Sequence, residues 1–143
     1  MPLKTQLLGR ILVRTKRAFV TERAKINRPI TAQEVAVIRS ALERAPAKTL
    51  DPRVGDTLEQ LRAIGQCGCG CDSIDFVPHD PSHMSHPIAD GMGTTPAGGD
   101  VGVIVWGHPD AVTGLEIYSL GAGDHDLKLP LPDSIHPFVA DES

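Results

Sequence analysis

All three cysteines of this 143-residue chain lie within five positions, in the segment Cys67-Gly68-Cys69-Gly70-Cys71. Cysteine thiolates bind zinc, and structural zinc sites often combine them with histidine. Histidines follow closely, so a zinc site of the Cys₃His or Cys₂His₂ type would draw its ligands from Cys67, Cys69, Cys71, His79, His83 and His86. The C-x-C-x-C spacing differs from the usual C-x₂₋₄-C pairs. In a regular strand, alternate side chains lie about 6.5–7 Å apart, so the strand would have to break around a metal.

Two other interpretations of the cysteine segment need no metal. Cysteine is often buried as a small hydrophobe, so three cysteines on one strand face would pack under a helix. The intervening glycines would then leave room for a neighbouring backbone on the other face. A reactive thiol instead needs a nearby cation or helix N-terminus, and the adjacent charge is the carboxylate of Asp72. Core packing is therefore the main prediction. Zinc binding and a thiol-dependent enzyme are the alternatives.

The composition limits the other classes of function. The chain has one Trp, one Tyr and three Phe, so its core must consist of aliphatic side chains, and stacking platforms for single-stranded nucleic acid are not expected. No run of 18 apolar residues is present, which predicts no transmembrane helix. Gly9 and Arg10 interrupt the one candidate signal sequence. Three cysteines without a secretory signal predict a cytoplasmic protein with reduced thiols.

Charge is divided unevenly along the chain. Eight basic residues and one acidic residue give residues 1–28 a formal charge of +7, whereas the six basic and seventeen acidic residues of the remainder give −11. This asymmetry predicts a basic N-terminal arm, residues 1–28, ahead of a single domain, residues 29–143. The arm would lie against the acidic body of the same protein. An acidic partner and an organellar transit segment are the alternatives.

Apolar periodicity predicts three helices in the first half of the chain. Leucines and isoleucines at helical spacing indicate an amphipathic helix over residues 3–26. A second helix begins at Thr31, where Thr31-Ala32-Gln33-Glu34 forms a capping box, and ends before Pro46. A third, short helix begins at Asp56 and ends near Ile64, with Gly65 as its cap.

Extended segments dominate the second half. The patterns predict one or two strands over residues 67–77 with a bulge near Asp72 and Ser73, a short strand at residues 88–90, a central strand at residues 101–106, and a hairpin partner at residues 115–120. The prolines at 130, 132 and 137 predict an extended tail. The expected fold class is α+β, with two or three N-terminal helices packed on a small, mostly antiparallel C-terminal sheet.

The capped helix, the glycine-cysteine strand, the two later strands and the proline-rich tail resemble those of small, uncharacterised bacterial α+β proteins over roughly residues 30–138. The resemblance implies no activity. Motifs for nucleotide binding, serine hydrolases, zinc proteases and kinases are missing from the sequence. We therefore expect a non-enzymatic binding protein of the regulatory or immunity type, without a cofactor unless zinc binds at the cysteines. Its basic helix, residues 3–26, would contact a protein partner or a second copy.

Overall fold

The computed structural model describes residues 23–68, 70–77, 85–120 and 127–138. These residues form one seven-stranded antiparallel sheet with the strand order β1-β2-β3-β6-β5-β4-β7. The strands are β1 (Arg23–Pro29), β2 (Arg62–Cys67), β3 (Ile74–Val77), β4 (His86–Thr94), β5 (Asp100–His108), β6 (Ala111–Ser119) and β7 (His136–Pro137). The α-helix α1 spans Ala32–Arg44, and two 3₁₀ helices span Pro52–Gln60 and Pro132–Ser134.

The predicted fold class is wrong in its balance of elements. The sheet is the larger part of the molecule, and the described residues contain α1 as their one α-helix rather than two or three N-terminal helices. The helix predicted over residues 3–26 is wrong at its C-terminal end, because Arg23–Pro29 pairs with β2 as a strand. Residues 1–22 lie outside the described part of the chain. The last six residues of the predicted basic arm therefore belong to an edge of the sheet.

The third predicted helix is also wrong. Pro52–Gln60 is a 3₁₀ helix with Asp51 as its N-cap, and the Asp51 carboxylate accepts a hydrogen bond from the Arg53 backbone N–H at 2.9 Å. The chain then enters β2, so Ile64 and Gly65 lie in a strand instead of ending a helix. Strand pairing overrides the local apolar spacing here, since β2 bonds to neighbours on both sides.

Three strand predictions in the second half are confirmed, at residues 88–90, 101–106 and 115–120. The strand predicted over residues 67–77 is correct only at its ends, because β2 ends at Cys67 and β3 begins at Ile74. The predicted central strand lies inside β5, which pairs with β4 on one side and β6 on the other, and its residues are apolar on both faces. β6 contains residues 115–119 of the predicted hairpin partner and ends one residue before Leu120. The strand predicted at residues 88–90 is part of the longer β4. No bulge forms at Asp72 and Ser73, where the chain turns between β2 and β3. The register shift lies instead between Ala63 and Gly65.

One face of the sheet holds the hydrophobic core. Side chains at alternate positions of the central strands pack against α1, both 3₁₀ helices and the tail, in one cluster that includes Val103, Val105, Leu115, Ile117 and Phe76. From the helical side, the same cluster receives Ile38, Leu58 and Ile135, each at most 2% exposed. All of the described helical elements therefore cover the same face of the sheet.

The capping box of α1 is confirmed and also joins the helix to β1. Thr31 Oγ1 accepts from the Glu34 N–H at 3.0 Å, and Glu34 Oε1 accepts from the Thr31 N–H at 2.9 Å. Arg28 on β1 donates to both Glu34 oxygens, at 3.0 and 2.8 Å. Burial raises the pKa of the Glu34 carboxyl, but the hydrogen bonds from Arg28 and Thr31 outweigh burial and leave that pKa below its ordinary value of 4.5.

Candidate interaction face of the sheet

The face of the sheet turned away from α1 carries an unusual concentration of carboxylates. Strands β3, β6, β5 and β4 contain no lysine or arginine, and all four of their acidic residues lie on this face. Apolar and aromatic side chains separate these carboxylates. We call this surface the acidic face and define it by Asp75, Asp90, Met92, Asp100, Ile104, Trp106, Glu116 and Tyr118.

Strand pairing arranges the acidic face in rows that cross the strands. In the central row, Asp90 on β4 is opposite Ile104, and Ile104 is opposite Glu116 on β6. Asp90 is exposed, Glu116 is half-buried and Ile104 is 7% exposed. Neighbouring strands are about 4.8 Å apart, so the backbone positions of the two acids lie about 10 Å apart across the isoleucine. An apolar centre between two carboxylates suits a partner that is itself amphipathic.

Trp106 fixes the orientation of one of these carboxylates. Its indole Nε1–H donates to Glu116 Oε1 at 3.0 Å, across adjacent strands. The indole is half-buried, so part of the ring reaches the surface beside the carboxylate. An aromatic ring and a positioned acid together can receive both the hydrocarbon stem and the charged end of a lysine or arginine.

Glycines on this face let two larger side chains lie flat against the sheet. The Tyr118 ring lies directly over Gly102, where a Cβ atom would be 2.1 Å from the ring atom Cζ. Asp75 lies between two glycines of the adjacent strands, and its carboxylate oxygens are 3.0 Å from a Cβ built at Gly65 and 3.6 Å from one built at Gly114. The glycines thus shape a shallow surface on which ring and carboxylate are both accessible from one side.

Among the described residues of the sheet, lysine and arginine return on this face at the β1–β2 margin. Lys25 is opposite Gly65, and Arg62 is opposite Val77. Arg62 Nε donates to Asn27 Oδ1 at 2.9 Å, which directs that guanidinium toward β1. The face is therefore acidic over its four central strands and basic at one edge. That polarity favours one orientation of a charged partner over the other.

The structure describes three of the six predicted metal ligands, Cys67, Cys71 and His86. Cys69, His79 and His83 lie outside the described residues, so the zinc site stays a prediction. Cys67 ends β2 and is half-buried, whereas His86 is exposed at the start of β4. Within the part of the chain that the structure describes, no three His, Cys, Asp or Glu side chains are grouped as metal ligands.

Cys71 takes part in a buried hydrogen-bond network. Its thiol donates to Ser73 Oγ at 3.4 Å, and Ser73 Oγ accepts from the Ile117 N–H at 2.9 Å. The same hydroxyl lies 3.3 Å from the Ile117 carbonyl oxygen, to which it donates. Cys71 is 5% exposed and lies in the turn before β3 rather than in a strand. The burial of Cys71 agrees with the packing interpretation for this one cysteine.

A groove of about 600 Å³ runs along the outer side of α1. Its polar groups hold neighbouring elements together. Arg39 donates to the Gly55 carbonyl and to Glu59, at 3.1 and 2.9 Å, and Ser40 donates to the Pro132 carbonyl at 2.7 Å. These bonds attach both 3₁₀ helices to α1. The groove is therefore better explained as a structural seam than as a binding site.

The residues of the acidic face were not among the candidates drawn from the sequence. The signal in the sequence was twofold. Side chains alternate between the two faces of a strand, and every acidic residue of these four strands falls on the same face, while lysine and arginine are missing from the strands. That signal can be interpreted only when the strand bounds and pairing are known, because a one-residue shift moves a side chain to the other face.

Comparisons with known proteins give no family for this chain: no protein-family model, no curated protein and no solved structure matches it. None of the helices in the described residues is long and apolar enough to cross a membrane. The argument for function therefore depends on the acidic face itself.

Proposed function

We propose that this protein is a non-enzymatic binding protein, of the regulatory or immunity type, that holds a basic amphipathic segment of a protein partner on its acidic face. One observation carries the proposal: all four carboxylates of β3, β6, β5 and β4 lie on one face, together with Trp106 and Tyr118. Protein interfaces are enriched in tryptophan and tyrosine, and opposite charges on two surfaces guide their association and fix its register.

The geometry indicates what kind of segment would fit. The face belongs to the middle of the sheet, so a partner cannot extend the sheet there and must lie flat across it. About 10 Å separates Asp90 from Glu116 across the strands. Two residues seven positions apart on an α-helix are also about 10 Å apart, at 1.5 Å per residue. A helix with arginine or lysine at such positions and apolar residues between them would pair with both acids and cover Ile104.

Trp106 makes the proposal directly testable, because it is the single tryptophan of the chain and lies on the acidic face. The experiment titrates the full chain with a synthetic amphipathic peptide that has arginines seven positions apart, and follows tryptophan fluorescence. A matched peptide with glutamates at the arginine positions is the control ligand. We expect a saturable change with the basic peptide, weakened by salt because screening reduces attraction between exposed charges.

Matched variants separate this face from general charge attraction. Asp90→Asn combined with Glu116→Gln should weaken binding about tenfold, since two exposed or half-buried ion pairs contribute up to about 1 kcal/mol each. The amide of Glu116→Gln keeps an acceptor for the Trp106 indole. The control combines Glu43→Gln with Asp56→Asn, which removes the same amount of charge from exposed positions elsewhere. Equal weakening by both pairs, or no binding of the basic peptide to any form of the protein, would refute the proposal.

A further inference from the structure

We infer that a shallow hollow over Gly114, bounded by Asp75, Trp106 and Glu116, is a subsite for one arginine side chain of the partner and prefers arginine to lysine. The inference rests on the proposed function and names the residue type that this part of the acidic face recognises. Three features of the described residues carry it: the space above Gly114, the groups around that space, and the hydrogen bond that holds two of those groups in place.

The space above Gly114 differs from that above another glycine of the acidic face. The Tyr118 ring fills the position above Gly102, where an added Cβ atom would be 2.1 Å from Cζ. A Cβ atom added to Gly114 would instead be at ordinary van der Waals distances from its nearest described neighbours. These neighbours are the Ile74 carbonyl oxygen at 3.4 Å, Asp75 Oδ1 at 3.6 Å and Trp106 Cβ at 3.8 Å. The described residues therefore leave room above Gly114 for a small or flat group.

The groups around the hollow are two carboxylates and an indole. Gly114 is opposite Asp75 on β3 and opposite Trp106 on β5, so these two residues flank it with their backbones about 10 Å apart. Glu116 follows two residues later on the same face of β6. A carboxylate has about four lone-pair sites, so each acid can accept from a partner as well as from its own chain. The hollow thus combines negative charge on two sides with an aromatic wall.

This combination favours a guanidinium over an ammonium. A guanidinium is planar, stacks on an aromatic ring and donates from five N–H groups, so it can contact the indole and bond to both carboxylates at once. A lysine ammonium is a compact point charge that cannot stack in this way. Gly114 is itself buried between the side chains around it, so the hollow is narrow and suits a flat group on a flexible stem. Arginine has that shape.

The bond between Trp106 and Glu116 prepares the hollow for binding. The indole Nε1–H donates to Glu116 Oε1 at 3.0 Å, which holds the ring and the carboxylate in one arrangement. Groups that are already ordered lose less conformational freedom when a ligand binds. The aromatic wall and one of the acids are therefore positioned before the partner arrives.

The test compares two peptides on the full chain by tryptophan fluorescence. One is the basic peptide with arginines seven positions apart, and the other has lysines at those two positions and the same net charge. We expect the arginine peptide to bind at least about fivefold more tightly, because the lysine peptide loses the stacked and bridging contacts.

Gly114→Ala tests the hollow itself, because it adds one methyl group and changes no charge. The added Cβ would meet no described atom closer than 3.4 Å, so we expect the fold to persist by circular dichroism and the preference for arginine to fall below about twofold. The matched control is Gly55→Ala in the first 3₁₀ helix, where the added Cβ would meet Arg39 Nη1 at 3.4 Å. It should keep the full preference. If Gly114→Ala perturbs folding, Asp75→Asn replaces it, with the same expected loss of preference.

The two peptides separate failure of the subsite from failure of the proposed function. A preference for arginine that Gly114→Ala removes and Gly55→Ala retains would support the subsite. Equal affinity of both peptides for the unaltered chain, or a preference that Gly114→Ala leaves unchanged, would overturn the subsite and leave the binding function standing. If neither peptide binds any form of the protein, both proposals are overturned.

Discussion

The contact between β1 and α1 supports a quantitative prediction. Glu34→Ala removes the acceptor for both Arg28 nitrogens and for the Thr31 N–H. A hydrogen bond to a charged group contributes about 1.5–3 kcal/mol to the stability of a folded protein, and loss of a helix cap costs about 1 kcal/mol. The Arg28 side chain is 35% exposed, so water can solvate its guanidinium again and the loss falls near the lower end. We expect a loss of about 2–3 kcal/mol in the free energy of unfolding.

Urea denaturation followed by circular dichroism measures this loss. At a typical urea dependence for a domain of this size, the midpoint should fall by about 1–2 M. Glu34→Gln should cost less, since an amide oxygen still accepts from Thr31. Glu43→Ala is the matched control, because Glu43 is exposed on the same helix and its truncation should change stability by less than about 0.5 kcal/mol. Equal effects of Glu34→Ala and Glu43→Ala would show that the contact does not stabilise the fold.

The same contact predicts a pH dependence. The pKa of Glu34 is lower in the folded protein than its ordinary value of 4.5, because the Arg28 and Thr31 hydrogen bonds outweigh the opposing effect of burial. The folded state therefore binds this proton less readily than the unfolded state, and the stabilisation is fully present above the unfolded pKa. It should decrease as pH falls below about 4.5 through the folded pKa. Glu34→Gln should remove that part of the acid sensitivity, as measured by urea midpoints between pH 3 and 7.

Three further predictions test other parts of the structure. Gly102→Ala should destabilise by about 1–3 kcal/mol, because its Cβ would meet the Tyr118 ring at 2.1 Å, and adding Tyr118→Ala should recover part of the loss in thermal denaturation. Leu58→Ala should cost about 2–5 kcal/mol by urea denaturation, because Leu58 is fully buried and joins the 3₁₀ helix to the core. Hydrogen bonds from the Arg53 side chain and from the Arg53 backbone N–H lower the pKa of Asp51 to about 2. Arg53→Gln should therefore raise the carboxyl titration midpoint part of the way toward 3.8 by NMR, and an unchanged midpoint would contradict the role of the side chain.

Local signals in the sequence predicted the structure correctly where the interacting residues are close together in the chain. The Thr31 to Glu34 capping box predicted the start of α1, because both hydrogen bonds join residues three positions apart. The apolar run in β5 predicted a central strand, and β5 pairs with a neighbouring strand on each side. Contacts of this range depend little on the rest of the fold.

The same local signals failed where distant strands competed for the chain. Residues 23–26 continue a helical pattern, yet they pair with β2, about forty residues later. Leu58, Leu61 and Ile64 have helical spacing, but Ile64 lies in β2 and is 37% exposed. Tertiary pairing satisfies backbone hydrogen bonds across the sheet and so overrides a weak helical preference.

The sequence by itself determined the composition of this protein: a basic first segment, an acidic remainder, clustered cysteines and one tryptophan. Only the tertiary structure decided which of those residues meet. Asp75, Asp90 and Glu116 are up to 41 positions apart in the chain, and the strand order β3-β6-β5-β4 places them on one face. The physical reason is register, because side chains alternate between faces and a shift of one residue would have sent these carboxylates toward the core.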